Sequence, residues 1–551
     1  MATQTKTAPV SAAEKLLAPD VPPAPSVPVS QPYLHGLTAS WPIAQDLTGS
    51  NSPCRLEGEI ADLVIHGIVP SAIAGTFYRV MCDPFIPPHP QNVPLDGDGH
   101  ISAFRFHNGR VDMKLRYVET ERYILERRAN KALFGLYRNP FTHHPCVRAA
   151  IDSTANTNLV FWADKLLALK EGGLPYAVDP HTLDTQGYDP FGSQVKSKTF
   201  TAHPKVDPFT DELVVFGYEA TGLATQDIAT YTLDKQGRKI EELWVKSPWC
   251  APIHDCVITE NWLVMVAWPF ESNIERLRAK KQHWAWNYDL NAIFIVVPRR
   301  QSTILPKGWK KGESRYYEWK NCMNIHCGGA WEGQHGKIYL ETTRVHDNAF
   351  PFFPPDDGRM PSPETKADFV RWQLDLTSPN GSSIPDPEVV LDMPCEFPRI
   401  DERFMTKKHN IVFLDVFLPE RSDSGKNIFQ GLNALAMHDH RTGKTRFFYA
   451  GDDSLVQEPI FIPRTKDAEE GDGWIIAMVE RKLENRCDLV VIDTQEFEKP
   501  VAVVSLPFHL RTQIHGNWID AEDLEKLEGQ DDFVRRYAEV RISGRGALEP
   551  L

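Results

Sequence analysis

Turn-forming residues set the first constraint on this chain. Forty-three prolines and thirty-four glycines fall at short intervals along 551 residues. Between them lie β-branched and aromatic runs too short for stable helices. Twelve such runs stand out, at residues 62–69, 103–106, 159–163, 213–218, 262–268, 292–297, 337–341, 411–417, 432–438, 473–480, 489–493 and 501–505. Short strands joined by Gly, Pro and Asp turns build sandwiches, barrels or propellers. The length and the number of strands favour a propeller, with no blade-length repeat visible. Helical patterning is confined to 121–132, 272–281 and 521–527. Residues 94–110 alternate from Ile101 and reach a turn at Asn108-Gly109, which predicts a β-hairpin.

Charge and composition exclude several classes of function. The formal charge is −14, the pI is about 5.8 and the mean hydropathy is −0.37. No Lys/Arg-rich run is present, and phosphate backbones need clustered cations, so no nucleic-acid partner is expected. No stretch of about eighteen apolar residues exists to span a membrane. Residues 1–50 are rich in Pro, Ala and Ser and carry no signal-peptide apolar core. They read as an extended or disordered arm ahead of a single catalytic propeller domain, with cap insertions, over 51–551. Nine cysteines without zinc spacing read as reduced thiols, which places the chain in the cytoplasm. Asp96-Gly97-Asp98-Gly99 has His107 where a calcium loop needs its twelfth-position carboxylate, so it reads as a tight turn.

The stretch NCMNIHCGGA, 321–330, carries the chemistry. His326 follows an apolar residue and precedes a glycine pair, and the pattern recurs at Ile253-His254-Asp255 and Ile514-His515-Gly516. A related form is Ala202-His203-Pro204. Ile65-His66-Gly67 has the same form and is assigned no ligand role. The four histidines are separated by 51, 72 and 189 residues, far beyond the reach of a local helical clip. They suit a closed architecture whose strands converge on an axis, each offering one imidazole to a single metal. Nitrogen donors alone leave iron, copper, zinc and nickel open.

Three acids have the setting of outer-shell groups. Glu396 and Glu458 each head an apolar, proline-bounded segment followed by arginine, in CEFPR and EPIFIPR. Glu171 follows Lys170 at the end of the Leu166–Leu169 run, where ionised groups need partners. A metal-bound imidazole donates its second N–H to such a carboxylate.

Together the stretches NTNLVFWADKLLALKEGGLPYAVDP, TAHPKVDP, PIHDCVIT, NIHCGGAWE, EFPRID, EPIFIPR and IHGNW, over roughly 55–520, resemble carotenoid cleavage oxygenases. The resemblance is narrower to the stilbene-cleaving branch of fungi and bacteria. It implies an all-β fold, a seven-bladed β-propeller with a helical and loop cap over an axial metal. One Fe(II) per chain would be held by His203, His254, His326 and His515, with Glu171, Glu396 and Glu458 behind them. A threonine limiting one coordination position corresponds to Thr157. Lysine directly before the glutamate of the EGG stretch, with an upstream tyrosine, marks the stilbene cleavers. The matching positions here are Lys170 and, in FGLYRNP, Tyr137.

The implied reaction is cleavage of the central C=C bond of a 4′-hydroxystilbene such as resveratrol by O2, giving two aromatic aldehydes. Sharing the phenolic proton with Lys170 and Tyr137 would push electron density into that bond. Lignostilbene and apocarotenoid substrates are the alternatives within the family. Residues 131–141 lack an amphipathic insertion helix, which argues for a soluble phenolic substrate and against membrane insertion. A non-catalytic scaffold has no use for four imidazoles gathered at one point.

Overall fold

In the computed structural model, which describes residues 51–534 apart from 90, 363, 419–430, 452, 528 and 530–532, the expected strands assemble into seven antiparallel blades. Seven inner strands line the axis: β1 (Asn158–Trp162), β2 (Lys205–Asp207), β3 (Ile253–Ile258), β4 (Cys327–Glu332), β5 (Cys395–Ile400), β6 (Ile460–Pro463) and β7 (Gln513–Asp520). Five blades each run outward from β1 to β5 through four strands in chain order. The other two interlock distant parts of the chain. Strand β7 pairs with Gly75–Cys82, so a late strand forms the axial edge of a blade otherwise built from residues 58–117. Val64–Gly67 in turn pairs with Pro500–Ser505 on the blade of β6. The expected arm over 1–50, and everything after 534, lie outside the described residues.

Strand periodicity builds the core. Along Trp262–Ala267 and Ala292–Pro298 successive side chains face opposite blades. Val264, Val266, Phe294 and Val296 pack towards Ile338, Leu340 and Trp372 on one side. Leu263, Met265, Ile293 and Ile295 pack towards Val214, Phe216 and Ile228 on the other. Each of the twelve expected strands is present, and the hairpin joins Gly99–His107 to Arg110–Tyr117. Its turn has φ of +49° at Asn108 and +74° at Gly109, the left-handed pair that a two-residue hairpin turn demands.

The three expected helices are shorter than their sequence patterns: Glu121–Ala129, Ile274–Arg278 and Ala521–Leu524. The first starts at Thr120, whose side chain accepts from Tyr123 N, and ends at left-handed Asn130. The second starts only after Asn273, which accepts from Arg276 N. Residues 131–141 hold no α-helix, in line with expectation. No helix among the described residues is long and apolar enough to cross a membrane. All nine cysteines are free thiols.

Candidate metal centre and adjoining cavity

Inner strands deliver the four histidines to the axis. His254 and His515 sit within β3 and β7, while His203 and His326 lie just before β2 and β4. Their Nε2 atoms form a chain: His203 to His254 at 3.0 Å, His254 to His326 at 3.0 Å and His326 to His515 at 3.1 Å. One ligand nitrogen from each of the four lies within 4.8 Å of every other.

Three expected acids stand behind three of these rings. Glu171 pairs with Nδ1 of His254. Glu396 lies 2.5 Å from Nδ1 of His326 and Glu458 3.1 Å from Nδ1 of His515. An imidazole that donates from Nδ1 to a carboxylate presents a bare lone pair at Nε2. Bare nitrogens at these separations cannot hydrogen-bond to one another, and a shared cation resolves the conflict. The spacing also fits: with a metal–imidazole bond of about 2.1 Å, ligands at right angles lie roughly 3.0 Å apart.

The acids are themselves held. Glu171 accepts from the Tyr218 hydroxyl, which accepts from Arg138 at 2.8 Å. Glu396 accepts from Thr343 Oγ1 at 2.6 Å and from Phe397 N at 2.9 Å. Glu458 accepts from Gly516 N at 2.9 Å and from Arg399 at 3.3 Å. Burial pushes the Glu458 carboxyl up, but His515 and Arg399 prevail and bring it down to about 2. Burial and the three neighbouring rings press His203 far below the imidazole range. His515 falls to about 4, chiefly through burial. Burial also lowers His326, yet the charge and hydrogen bond of Glu396, with Asp255 and Glu458 behind them, together hold that ring above its ordinary value.

Three of the rings, His254, His326 and His515, wall a cavity of about 260 Å³ that also reaches Thr157, Lys170 and Tyr137. Its apolar surface comes largely from Trp268, Phe270, Trp284, Phe350, Phe353 and Phe397, several of them on the connectors that cap the ring. His203 instead lines a separate, more polar cavity of about 270 Å³ with Lys205, Arg399 and Asn517. Lys170 is buried, and its ammonium donates to Leu95 O at 3.0 Å and Asn156 Oδ1 at 3.1 Å. It lies 5.0 Å from the centre of the Tyr137 ring. The Thr157 hydroxyl donates to Asn156 Oδ1 at 3.0 Å.

Comparison with known proteins agrees with this geometry. The family model described as retinal pigment epithelial membrane protein matches residues 51–520. The chain belongs to that family, the carotenoid cleavage oxygenases. Among its relatives, resveratrol cleavage oxygenase 1 of Botryotinia fuckeliana is 69% identical over 542 residues, covering 97% of both chains. Lignostilbene-alpha,beta-dioxygenase isozyme III of Sphingomonas paucimobilis is 36% identical, covering 88% of this chain and 99% of its own. The crystal structure of lignostilbene dioxygenase from Pseudomonas brassicacearum superimposes with a TM-score of 0.82 at 37% identity, covering 88% of this chain and all of that one.

Within this carotenoid-oxygenase framework, several residues of the site carry no mark in the sequence. Asn156 donates through its amide to Leu95 O at 3.0 Å and Gly97 O at 2.8 Å. Those acceptors turn its Oδ1 towards both Lys170 and Thr157. Its place in the NTN stretch beside Thr157 is the one available hint. Tyr218 and Arg138 have no local signal at all. In two other titratable clusters among the described residues the acid is already engaged by protein donors. Glu341, near His409 and His440, is gripped by Arg371 at 2.7 and 2.9 Å. Asp83, near Cys54 and His100, accepts from Tyr117 and two backbone amides, and burial pushes the Cys54 thiol up to about 11.

Proposed function

We propose that this chain is a cytoplasmic non-haem Fe(II) dioxygenase that cleaves the central C=C bond of 4′-hydroxystilbenes, with resveratrol first in preference. One Fe(II) per chain would be held by His203, His254, His326 and His515, with Glu171, Glu396 and Glu458 orienting three of the rings. One observation carries the reading: the same aromatic-walled cavity is lined by imidazoles of the metal set and by Lys170 and Tyr137. The names of the relatives, which include a resveratrol cleavage oxygenase and lignostilbene dioxygenases, support it.

Bound iron supplies a site where O2 meets the double bond. The chain's own residues prepare the substrate. Flat rings slot between the aromatic walls, which favour stacked or edge contacts. Lys170 has three hydrogen-bonding positions at Nζ, and Leu95 O and Asn156 Oδ1 take two of them. The third is left for a phenolic oxygen. Burial lowers the Lys170 pKa, which makes the neutral amine easier to reach. As an amine Lys170 accepts the phenolic proton; as an ammonium it donates to the phenolate. Tyr137, whose own pKa burial pushes up, stays protonated and donates a second hydrogen bond. The resulting phenolate density raises the nucleophilicity of the central bond. Thr157 narrows access beside the imidazoles. Both oxygen atoms of O2 end in the two aldehydes, which balances the reaction.

The test is anaerobic iron loading followed by aldehyde analysis with resveratrol, a lignostilbene and an apocarotenal offered side by side. Two aromatic aldehydes from resveratrol at the highest kcat/KM are expected. Faster turnover of the lignostilbene would move the preference within the stilbenes, and cleavage of the apocarotenal alone would overturn the reading.

A further inference from the structure

Three of the four imidazoles have a carboxylate on the outer nitrogen. Among the described residues His203 has none within hydrogen-bonding distance. The carboxylate near it is Asp255, whose Oδ1 lies 3.9 Å from His203 Nδ1. Asp255 is buried and fully engaged: Oδ1 accepts from Cys256 N at 2.7 Å and Lys205 Nζ at 2.8 Å, and Oδ2 accepts from Cys327 N at 2.8 Å. Each partner sits beside a ligand. Asp255 itself follows His254, Cys327 follows His326, and Lys205 lies two residues after His203.

A break in the β3 ladder underlies the arrangement. Between Ile253 and Cys256 the pairing with the neighbouring strand shifts register, with His254 joining the metal set and Asp255 turned to the flanking blades. There it meets the backbone of the next blade at the start of β4 and the Lys205 side chain of the preceding blade in β2. This side chain to backbone bond ties the residue after His254 to the residue after His326 across two blades.

We infer that Asp255 is a positioning residue of the metal centre, tying the segments that carry His203, His254 and His326 to one carboxylate. It also neutralises Lys205, an ammonium that would otherwise stand buried and unpaired beside a site built for a cation. Charge, and not shape alone, is therefore required at position 255.

The inference rests on the metal reading above, and its test separates the two. Iron affinity is measured anaerobically by chelator competition, and the geometry of the site by the visible absorption of the cobalt-loaded protein. Asp255→Asn keeps the volume, removes the charge and sets an amide against the Cys327 N–H. It is expected to weaken iron by about 10- to 100-fold, the range for lost outer-sphere partners, and to shift the cobalt bands, with the far-UV spectrum unchanged. Lys205→Met in the Asp255→Asn background is expected to restore part of the affinity, because the unpaired ammonium is gone. Iron affinity within twofold of the parent, with unchanged cobalt bands, would overturn the role of Asp255. Should Asp255→Asn fail to fold, Lys205→Met alone is read: altered cobalt bands support the link to His203, and unaltered bands refute it. A parent protein that takes up neither metal would instead sink the metal reading itself.

Discussion

At the scale of single residues, the phenol-reading pair gives the most direct prediction. Lys170 has one open position at Nζ, so in the proposed reaction Lys170→Met removes one charge-assisted hydrogen bond to the substrate. Such a bond is worth about 1.5–3 kcal/mol, or roughly 10- to 150-fold in kcat/KM for 4′-hydroxystilbenes. Tyr137→Phe removes a neutral bond and should cost less. Steady-state kinetics with resveratrol and its 4′-methoxy analogue read the effect. Equal losses on the two substrates would show that Lys170 does not address the phenol.

Glu396 makes a second prediction at this scale, with a definite sign. It holds His326 above the ordinary imidazole value of 6.5, against the pull of burial. In the metal-free protein that ring therefore keeps its extra proton to a higher pH, and binding a metal must expel it. Iron affinity should fall as pH drops through that raised pKa, beginning at or above pH 6.5. In Glu396→Gln the nearest raising charge is gone and burial is opposed only by the more distant charges of Asp255 and Glu458, so proton competition sets in at lower pH. Above that region the variant should bind iron about 10- to 100-fold more weakly. Chelator competition across pH 5 to 8 measures both, and parallel curves for parent and variant would contradict the assignment. The histidines and glutamates were legible in sequence because each lies in a stretch of recognisable form and order. Asn156, Tyr218, Arg138 and Asp255 were not, because their roles consist of contacts whose partners lie far away in the chain. Arg138, for example, reaches Tyr218 across 80 residues.

At the scale of elements, β7 shows how a strand can serve both the fold and the site. Gly516 follows His515 and faces Arg79 across the blade. A Cβ there would come within 2.6 Å of the Phe77 ring and 2.9 Å of Tyr78 O, and the backbone carbonyl cannot swing away as a side chain would. Its amide also donates to Glu458. Gly516→Ala should push β7 off its neighbour, costing roughly 1–3 kcal/mol, and should carry His515 out of register with the other rings. Iron stoichiometry and thermal unfolding test it, and full iron loading in the variant would break the proposed link. Strands with β-branched runs were readable in the sequence. Gly75–Cys82 was not: all eight of its residues are buried, as in Trp262–Ala267, but Arg79 interrupts the apolar run that marks a strand covered on both faces. The helices were over-read at their ends, where Asn130 and Asn273 set limits that periodicity does not show.

At the scale of the whole molecule, ring closure depends on pairings that no local pattern reveals. Strand β7 meets residues 75–81 across more than 430 positions of sequence, so strand count pointed to a propeller while the number of blades came from family resemblance. The ligands come from four of the seven inner strands, or the residues just before them, so a bound ion acts as a tie across the ring. An ion that binds the folded ring and not the open chain stabilises it by RT ln(1 + [L]/Kd), about 4 kcal/mol at a thousandfold excess over Kd. A chain of this size gains unfolding entropy of roughly 1 kcal/mol per degree, so each kcal/mol raises Tm by only about 1 °C. Iron at a thousandfold excess should therefore raise Tm by about 4 °C, with a further rise of about 1.4 °C for each tenfold increase. His326→Ala should abolish the dependence. Calorimetry across an anaerobic iron titration reads the slope directly, and a Tm indifferent to iron in the parent protein would mean that the four imidazoles do not hold an ion between the blades.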